Sequence, residues 1–182
     1  MPEHLRPAIL VGAFAGLLLA EACGLRVVDV DFMRGVVAPT VQHPAEPLKT
    51  ETSRTPVPIP NSLALELSAH VARYGAETLL VNEYGRQLAP WTLERAVRAA
   101  RAKVPGLPPT FRYHDLRRYL ASLLISSGSD VRVVQARLRH ASAKTTLDTY
   151  GHLWPDTDDS QHTSRHRCGD GGSCGLSADC GR

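Results

Sequence analysis

Apolar residues recur every three or four positions along much of this chain, the spacing at which an α-helix buries one face. The pattern predicts helices over residues 7–23, 61–73, 92–103, 114–126, 130–138 and 142–153. Polar residues that can cap a helix stand at four of the predicted starts, namely Asn61 or Ser62, Thr92, Asp130 and Ser142. Gly24 and Gly128 are the predicted stops of the first and fourth helices.

Shorter stretches show the alternation expected of β-strands. Residues 25–37 predict a turn and then an edge strand, and residues 44–60 predict a hairpin with Glu51, Thr52 and Ser53 at its polar tip. Prolines at 56, 58 and 60 restrict the second strand to a sheet edge, because proline lacks an N–H. Residues 78–81 are a further short strand candidate. We therefore expect an α+β fold, mainly α-helical, with a small antiparallel β-sheet.

The composition changes after Pro155. The last residues are rich in Asp, Ser, Gly, His and Arg, and Leu176 is their only aliphatic residue larger than alanine. Such a segment cannot bury enough apolar surface to order itself. We predict one domain over residues 1–157 and a disordered tail over residues 158–182. Cys168, Cys174 and Cys180 there suggest zinc with His162 and His166, but five residues separate the cysteines where structural sites have two to four, so we expect no metal.

Charge and cysteine content limit the predicted partners and the predicted cellular compartment. A net charge of +3 and a pI of about 8.8 permit a polyanionic partner, and basic residues cluster between Arg95 and Arg118. A solvated helix face explains such a cluster equally well. The apolar run over residues 8–20 is too short to span a bilayer, and Glu21 stands where a secretory cleavage motif needs small residues. Four cysteines without a disulfide framework favour a reducing cytoplasm, and we expect no membrane partner.

The segment over residues 113–153 carries candidate chemistry in a specific order. His114 and Arg117 form a His-x-x-Arg pair at a helix start, Leu138, Arg139 and His140 stand at a turn, and Tyr150 follows ten residues later. This series resembles the two C-terminal signature motifs of tyrosine recombinases, the phage integrase family. The turn of that family has the pattern Leu-Gly-His, so Arg139 replaces the usual glycine.

Two upstream segments extend the resemblance. The hairpin segment with the sequence PLKTETSRTPVPIP is similar to the hairpin of the family, and Lys49 matches its catalytic lysine. Gly16, Leu17 and Glu21 match the family's first motif, Gly-Leu-Arg-x-Gly-Glu, in which the arginine is catalytic. Leu18 stands at the position of that arginine. Arg26, eight residues later, matches a noncatalytic arginine of the family.

The resemblance implies a reaction without metal or cofactor. The tyrosine oxygen, here that of Tyr150, attacks the scissile phosphate and gives a 3′-phosphotyrosine and a free 5′-hydroxyl. Arg117 would clamp the non-bridging oxygens, and His114 would exchange a proton with the tyrosine hydroxyl. His140 would donate a hydrogen bond to a non-bridging oxygen, and Lys49 would protonate the leaving 5′-oxygen. Each residue alone also has an ordinary structural explanation; the ordered series favours the catalytic one.

We therefore predict a site-specific DNA recombinase domain that binds double-stranded DNA, with other recombinase subunits as further candidate partners. Leu18 predicts impaired activity, because one of two phosphate clamps is absent. The alternative is a catalytically inactive, DNA-binding integrase remnant. The resemblance covers residues 5–157 and includes neither an N-terminal DNA-clamping domain nor the C-terminal helix that such enzymes dock on a neighbouring subunit.

Overall fold

The computed structural model of the protein describes residues 1–75 and 77–154, so the predicted domain boundary at residue 157 and the predicted tail lie outside the described residues. Within the described residues the fold is mainly helical with small antiparallel sheets, which confirms the expected fold class. The α-helices are α1 (Arg6–Phe14), α2 (Leu19–Gly24), α3 (Asn61–Tyr74), α4 (Pro90–Arg101), α5 (Asp115–Ser126), α6 (Val131–Leu138) and α7 (Ala143–Tyr150). In this part of the chain, no helix is both long and apolar enough to cross a membrane.

The first predicted helix is interrupted. Residues 7–23 do not form one helix, because α1 ends at Phe14 and Gly16 adopts the left-handed conformation with φ of 63°. The chain then buries Leu17, exposes Leu18 and begins α2 at Leu19. The apolar pattern continues through the break, so only the backbone at Gly16 marks it.

The strands are short and pair differently from the prediction. They are β1 (Val30–Asp31), β2 (Val36–Val37), β3 (Val41–Gln42), β4 (Glu46–Pro47) and β5 (Val57–Pro58). β5 pairs with β2, where Val57 faces Val37, and the separate hairpin joins β3 to β4. The predicted hairpin over residues 44–60 is therefore wrong, and its expected tip forms a 3₁₀ turn at Glu51–Arg54. Lys49 lies between β4 and this turn, outside the strands. The prolines do confine β5 to a sheet edge.

Helix caps follow the sequence in α6 and α7. Asp130 accepts a hydrogen bond from the Val133 N–H at 2.8 Å, and Ser142 accepts one from the Thr145 N–H at 3.3 Å. The start of α4 differs from the prediction, since the helix begins at Pro90, where a missing N–H costs nothing. The 78–81 segment forms isolated bridges to Arg26 and Gln87 in place of a strand.

Helix α5 connects two apolar clusters. Leu116 and Tyr113 belong to the larger cluster, which is built on α1 to α4, and the Tyr113 hydroxyl donates to the Ala8 carbonyl at 2.9 Å. Leu120 belongs to the smaller cluster, which includes residues of α6 and Tyr150 at the end of α7. Arg117 lies on α5 between the two clusters, so the packing of both halves determines its position.

Candidate active site

Arg117 joins two segments that are distant in sequence. Its guanidinium donates through Nη1 to the Gly16 carbonyl at 2.6 Å and through Nη2 to the Leu138 carbonyl. The side chain is buried, and burial lowers the pKa of Arg117, as does the nearby charge of Arg139. A guanidinium has five N–H donors, so these two bonds leave others for a ligand. The break after α1 and the turn after α6 thus meet at Arg117.

His140 and Tyr150 stack beside this junction. Their rings are almost parallel, with 6.3 Å between centroids and 4° between planes. The Nδ1 atom of His140 is 2.9 Å from Oγ1 of the buried Thr146, which leaves Nε2 for another partner. Burial, together with the charges of Arg117 and His114, lowers the pKa of His140 to about 4, so the ring is neutral at pH 7.

The Tyr150 hydroxyl is protonated at neutral pH. Burial raises the pKa of the Tyr150 hydroxyl from its ordinary value, while the charges of Arg117 and Arg118 oppose that rise. A buried phenol of this kind needs a proton acceptor and nearby cations before it can act as a nucleophile. Arg117 and Arg118 of α5 are the nearby cations.

His114 lies at the edge of the same group. It immediately precedes α5, and partial burial and the charges of Arg117 and Arg118 lower its pKa. The imidazole borders a cavity of about 590 Å³ that Arg98, Arg101 and Arg112 also line. The basic cluster predicted from the sequence therefore contributes at least three arginines to one groove beside His114.

Lys49 is the sequence-predicted residue that is not drawn into this group. Its side chain is exposed, and the residue lies in a bend that follows β4. Its segment is tied to the site indirectly, because Nη1 of Arg139 donates to the Ser53 carbonyl at 2.5 Å. His114, Arg117, His140 and Tyr150 thus come together, whereas Lys49 lies on an adjoining surface segment.

A buried ion pair is the feature that sequence reasoning missed. Nη2 of Arg139 lies 2.5 Å from Oε2 of Glu21, and the two side chains are 2% and 3% exposed. The same Glu21 oxygen accepts the Leu18 N–H at 2.9 Å. The available signal was the arginine at a glycine position of the turn, where Arg139 keeps the left-handed φ of 54°.

Leu18 itself stands at the break. It is the N-cap residue of α2, its side chain is 39% exposed, and it lies two residues after the carbonyl that binds Arg117.

Among residues 1–75 and 77–154, no group of three or more His, Cys, Asp and Glu side chains is arranged to hold a metal ion. The cysteines and histidines of the tail lie outside these residues.

Comparison with known proteins identifies relatives of the whole domain. A putative prophage phiRv2 integrase of Mycobacterium tuberculosis is 32% identical over 161 residues, covering 81% of this chain and 42% of the relative. A tyrosine recombinase XerC of Thermodesulfovibrio yellowstonii is 27% identical over 142 residues, covering 76% of this chain and 46% of the relative. The chain thus spans less than half the length of these two curated relatives.

The fold has solved counterparts as well. The Tn1549 transposon integrase in complex with transposon right-end DNA superimposes with a TM-score of 0.68 at 19% identity, over 90% of this chain and 58% of that one. The profile of the phage integrase family matches residues 3–156, which is most of the chain and includes every residue of the site described above. The chain therefore belongs to the phage integrase family.

Proposed function

We propose that this chain is the catalytic domain of a site-specific DNA recombinase that breaks and rejoins double-stranded DNA through a 3′-phosphotyrosine at Tyr150. The observation that carries the proposal is the meeting of Arg117, His114, His140 and Tyr150 at the junction of α5, α6 and α7. Four residues from two sequence motifs have little structural reason to lie together at one polar junction. A common phosphate substrate provides that reason.

The residues divide the reaction among them. The Tyr150 oxygen forms a bond to phosphorus as the bond from phosphorus to the 5′-oxygen breaks, so the phosphodiester energy is retained in the protein–DNA link. The phenolic proton passes to His114, which burial and neighbouring arginines keep neutral and able to accept it. Lys49 donates a proton to the leaving 5′-oxygen once its exposed segment meets DNA.

Charge develops on the non-bridging oxygens in the transition state. Arg117 neutralises it with the N–H groups left free by Gly16 and Leu138, and fixed cations of this kind are among the strongest catalytic devices. Neutral His140 donates from Nε2, a tautomer that the Thr146 hydroxyl stabilises by donating to Nδ1. We propose that Leu18 impairs the reaction, because the arginine that the family places there is absent.

The groove beside His114 fits a DNA strand leading to the site. Arg98, Arg101 and Arg112 line it, and arginine is well suited to bind phosphate oxygens. Glu94 also lines the groove, so the surface is basic without being uniformly so. Double-stranded DNA is the proposed partner, and other subunits of the same kind are proposed to share the substrate.

Covalent trapping tests the proposal. A library of nicked duplexes with randomised sequence lets the short 5′-hydroxyl fragment diffuse away after attack, so any covalent adduct accumulates and its DNA can be sequenced. We expect a protein–DNA adduct from the unmodified chain and none from Tyr150→Phe. An adduct that persists in Tyr150→Phe would contradict the assignment of the nucleophile.

The second candidate function is a DNA-binding remnant without catalysis. The uncharged Leu18 at the start of α2 favours it. The same library distinguishes the two, because the remnant retains noncovalent, salt-sensitive binding and yields no adduct with any duplex.

A further inference from the structure

Arg139 occupies an unusual backbone position for the sake of its side chain. A residue with a Cβ is disfavoured in the left-handed conformation relative to glycine. Arg139 nevertheless adopts φ of 54° and directs its guanidinium into the protein, where Nη2 binds Glu21 and Nη1 binds the Ser53 carbonyl. The Arg139 Nε atom is buried with no hydrogen-bond partner among the described residues. A residue selected only for stability would avoid both features.

The charges at the junction show what this arrangement achieves. Arg117 and Arg139 are cations and Glu21 is an anion, and all three are buried. The charges of Glu21 and Arg139 act on Arg117 in opposite directions, Glu21 raising its pKa and Arg139 lowering it. Without Arg139, the Glu21 carboxylate would cancel the charge that Arg117 offers to a phosphate. With Arg139 the junction keeps one net positive charge.

The position of this guanidinium is also informative. Arg139 Nη2 and the Leu18 N–H bind the same Glu21 oxygen. The guanidinium therefore lies two hydrogen bonds from the backbone of residue 18, the residue at which an arginine is absent. The guanidinium of Arg139, from the turn after α6, thus lies near the backbone of residue 18 at the start of α2. An arginine at residue 18 would place its charge in the same region.

We propose that Arg139 is a positioning residue that takes over the electrostatic role of the arginine that is missing at residue 18. It neutralises Glu21 and so leaves the charge of Arg117 available to the scissile phosphate. This inference rests on the proposed function, since it concerns the same site and reaction. It goes beyond that function by assigning a role to a residue at which the family has glycine.

The test compares adduct formation on two substrates. One nicked duplex has an ordinary scissile phosphate, and the other has a methylphosphonate, in which a methyl group replaces one charged oxygen. Arg139→Gly restores the residue best suited to the left-handed turn and removes the charge. We expect it to slow adduct formation about 100-fold on the phosphodiester and less than about tenfold on the methylphosphonate, because a neutral centre needs less compensation.

A second variant keeps the proposal testable if Arg139→Gly leaves Glu21 buried and unpaired and the protein unfolds. Glu21→Gln with Arg139→Gly removes both charges and retains an acceptor for the Leu18 N–H. We expect this double variant to form the adduct at a rate within about tenfold of the unmodified chain, because no carboxylate remains to neutralise the charge of Arg117. Thermal unfolding of each variant establishes that the rates come from folded protein.

The outcomes separate the inference from the function on which it rests. Equal losses on the two substrates in folded Arg139→Gly, or a folded double variant that remains about 100-fold slow, would show that Arg139 is only a structural tie to Ser53. Either result overturns the inference and leaves the recombinase intact. Absence of any adduct from the unmodified chain on both substrates overturns the proposed function and the inference with it.

Discussion

Arg117 combines structure and chemistry in one side chain. It ties Gly16 to Leu138, and its charge acts to lower the pKa of both His140 and Tyr150. In Arg117→Lys the compact ammonium group lacks the planar fork of donors with which the guanidinium binds both carbonyl oxygens and still offers N–H groups to a phosphate. We expect adduct formation to fall by about 100-fold or more and the free energy of unfolding to fall by about 1–3 kcal/mol. Arg118→Lys is the matched control, because Arg118 is exposed, pairs with Asp115 at the surface and keeps its charge as lysine. Equal behaviour of the two variants would contradict the role of Arg117.

His140 makes the stability of the domain depend on pH. Burial lowers its pKa from 6.5 to about 4, so between these values the unfolded chain binds more protons than the folded one. Stability is therefore greatest above about pH 6.5 and is lost as the pH falls towards 4. Urea unfolding should show His140 contributing on the order of 1 kcal/mol to the difference between pH 7 and pH 5.

The control for this pH effect is a second histidine. His140→Gln should flatten the pH dependence, whereas the same change at exposed His152 should leave it unaltered. Some dependence should remain in both, because burial also lowers the pKa of His70, whose ring Nε2 lies 3.0 Å from the Leu79 carbonyl. An unchanged slope in His140→Gln would show that its imidazole does not titrate in this range.

Leu18 can be tested together with Arg139. Because the Leu18 side chain is 39% exposed, an arginine there can reach solvent or DNA without burying an unpaired charge. We expect Leu18→Arg to recover most of the roughly 100-fold loss caused by Arg139→Gly, measured as the rate of adduct formation. Leu18→Gln in the same Arg139→Gly background is the uncharged control, and recovery by glutamine as well would show that charge is not the cause.

At the scale of the elements, α2 and β3 approach so closely that only glycine fits between them. A Cβ atom on Gly24 would lie 2.6 Å from the backbone of Gln42 and His43, and the His43 N–H donates to the Ala20 carbonyl at 2.8 Å. Gly24→Ala should therefore push β3 away and lower the free energy of unfolding by about 1–3 kcal/mol. Gly151→Ala is the control, since no atom of the described residues lies within 4 Å of a Cβ added there and its φ is −53°. A stability change of equal size in both would contradict the packing argument.

At the scale of the whole molecule, DNA binding should be weak and strongly dependent on salt. In the proposed complex the groove lined by Arg98, Arg101 and Arg112 supplies the phosphate contacts. Each contact contributes about one unit to the slope of log affinity against log salt. Replacing Arg98 and Arg112 by alanine should lower that slope by about 2, measured by fluorescence anisotropy with nonspecific duplex DNA. Arg34 is exposed and does not line the groove, so Arg34→Ala is the control. An affinity that hardly changes between low and physiological salt would overturn the prediction.

Much of the architecture follows from local sequence, because helices and their caps are formed by residues close to one another along the chain. The apolar spacing predicts α3, α5, α6 and α7 close to where they lie, and Asp130 and Ser142 cap as predicted. The order of His114, Arg117, His140 and Tyr150 likewise indicates the family without a structure. The strand pairing does not follow in this way, because β2 and β5 are two-residue strands whose partners are chosen by packing.

The sequence by itself determined α3, α5, α6 and α7, the caps of α6 and α7, and which residues carry the proposed chemistry. The tertiary structure decided how the charges at the site are balanced. Glu21 and Arg139 are 118 residues apart, and neither has a neighbour in sequence that predicts a buried ion pair. The pair forms because Gly16 breaks the first helix and the turn after α6 brings Arg139 back against α2. Both charges become buried only when the chain folds. A buried carboxylate is stable only beside a cation, and here a distant part of the chain provides that cation.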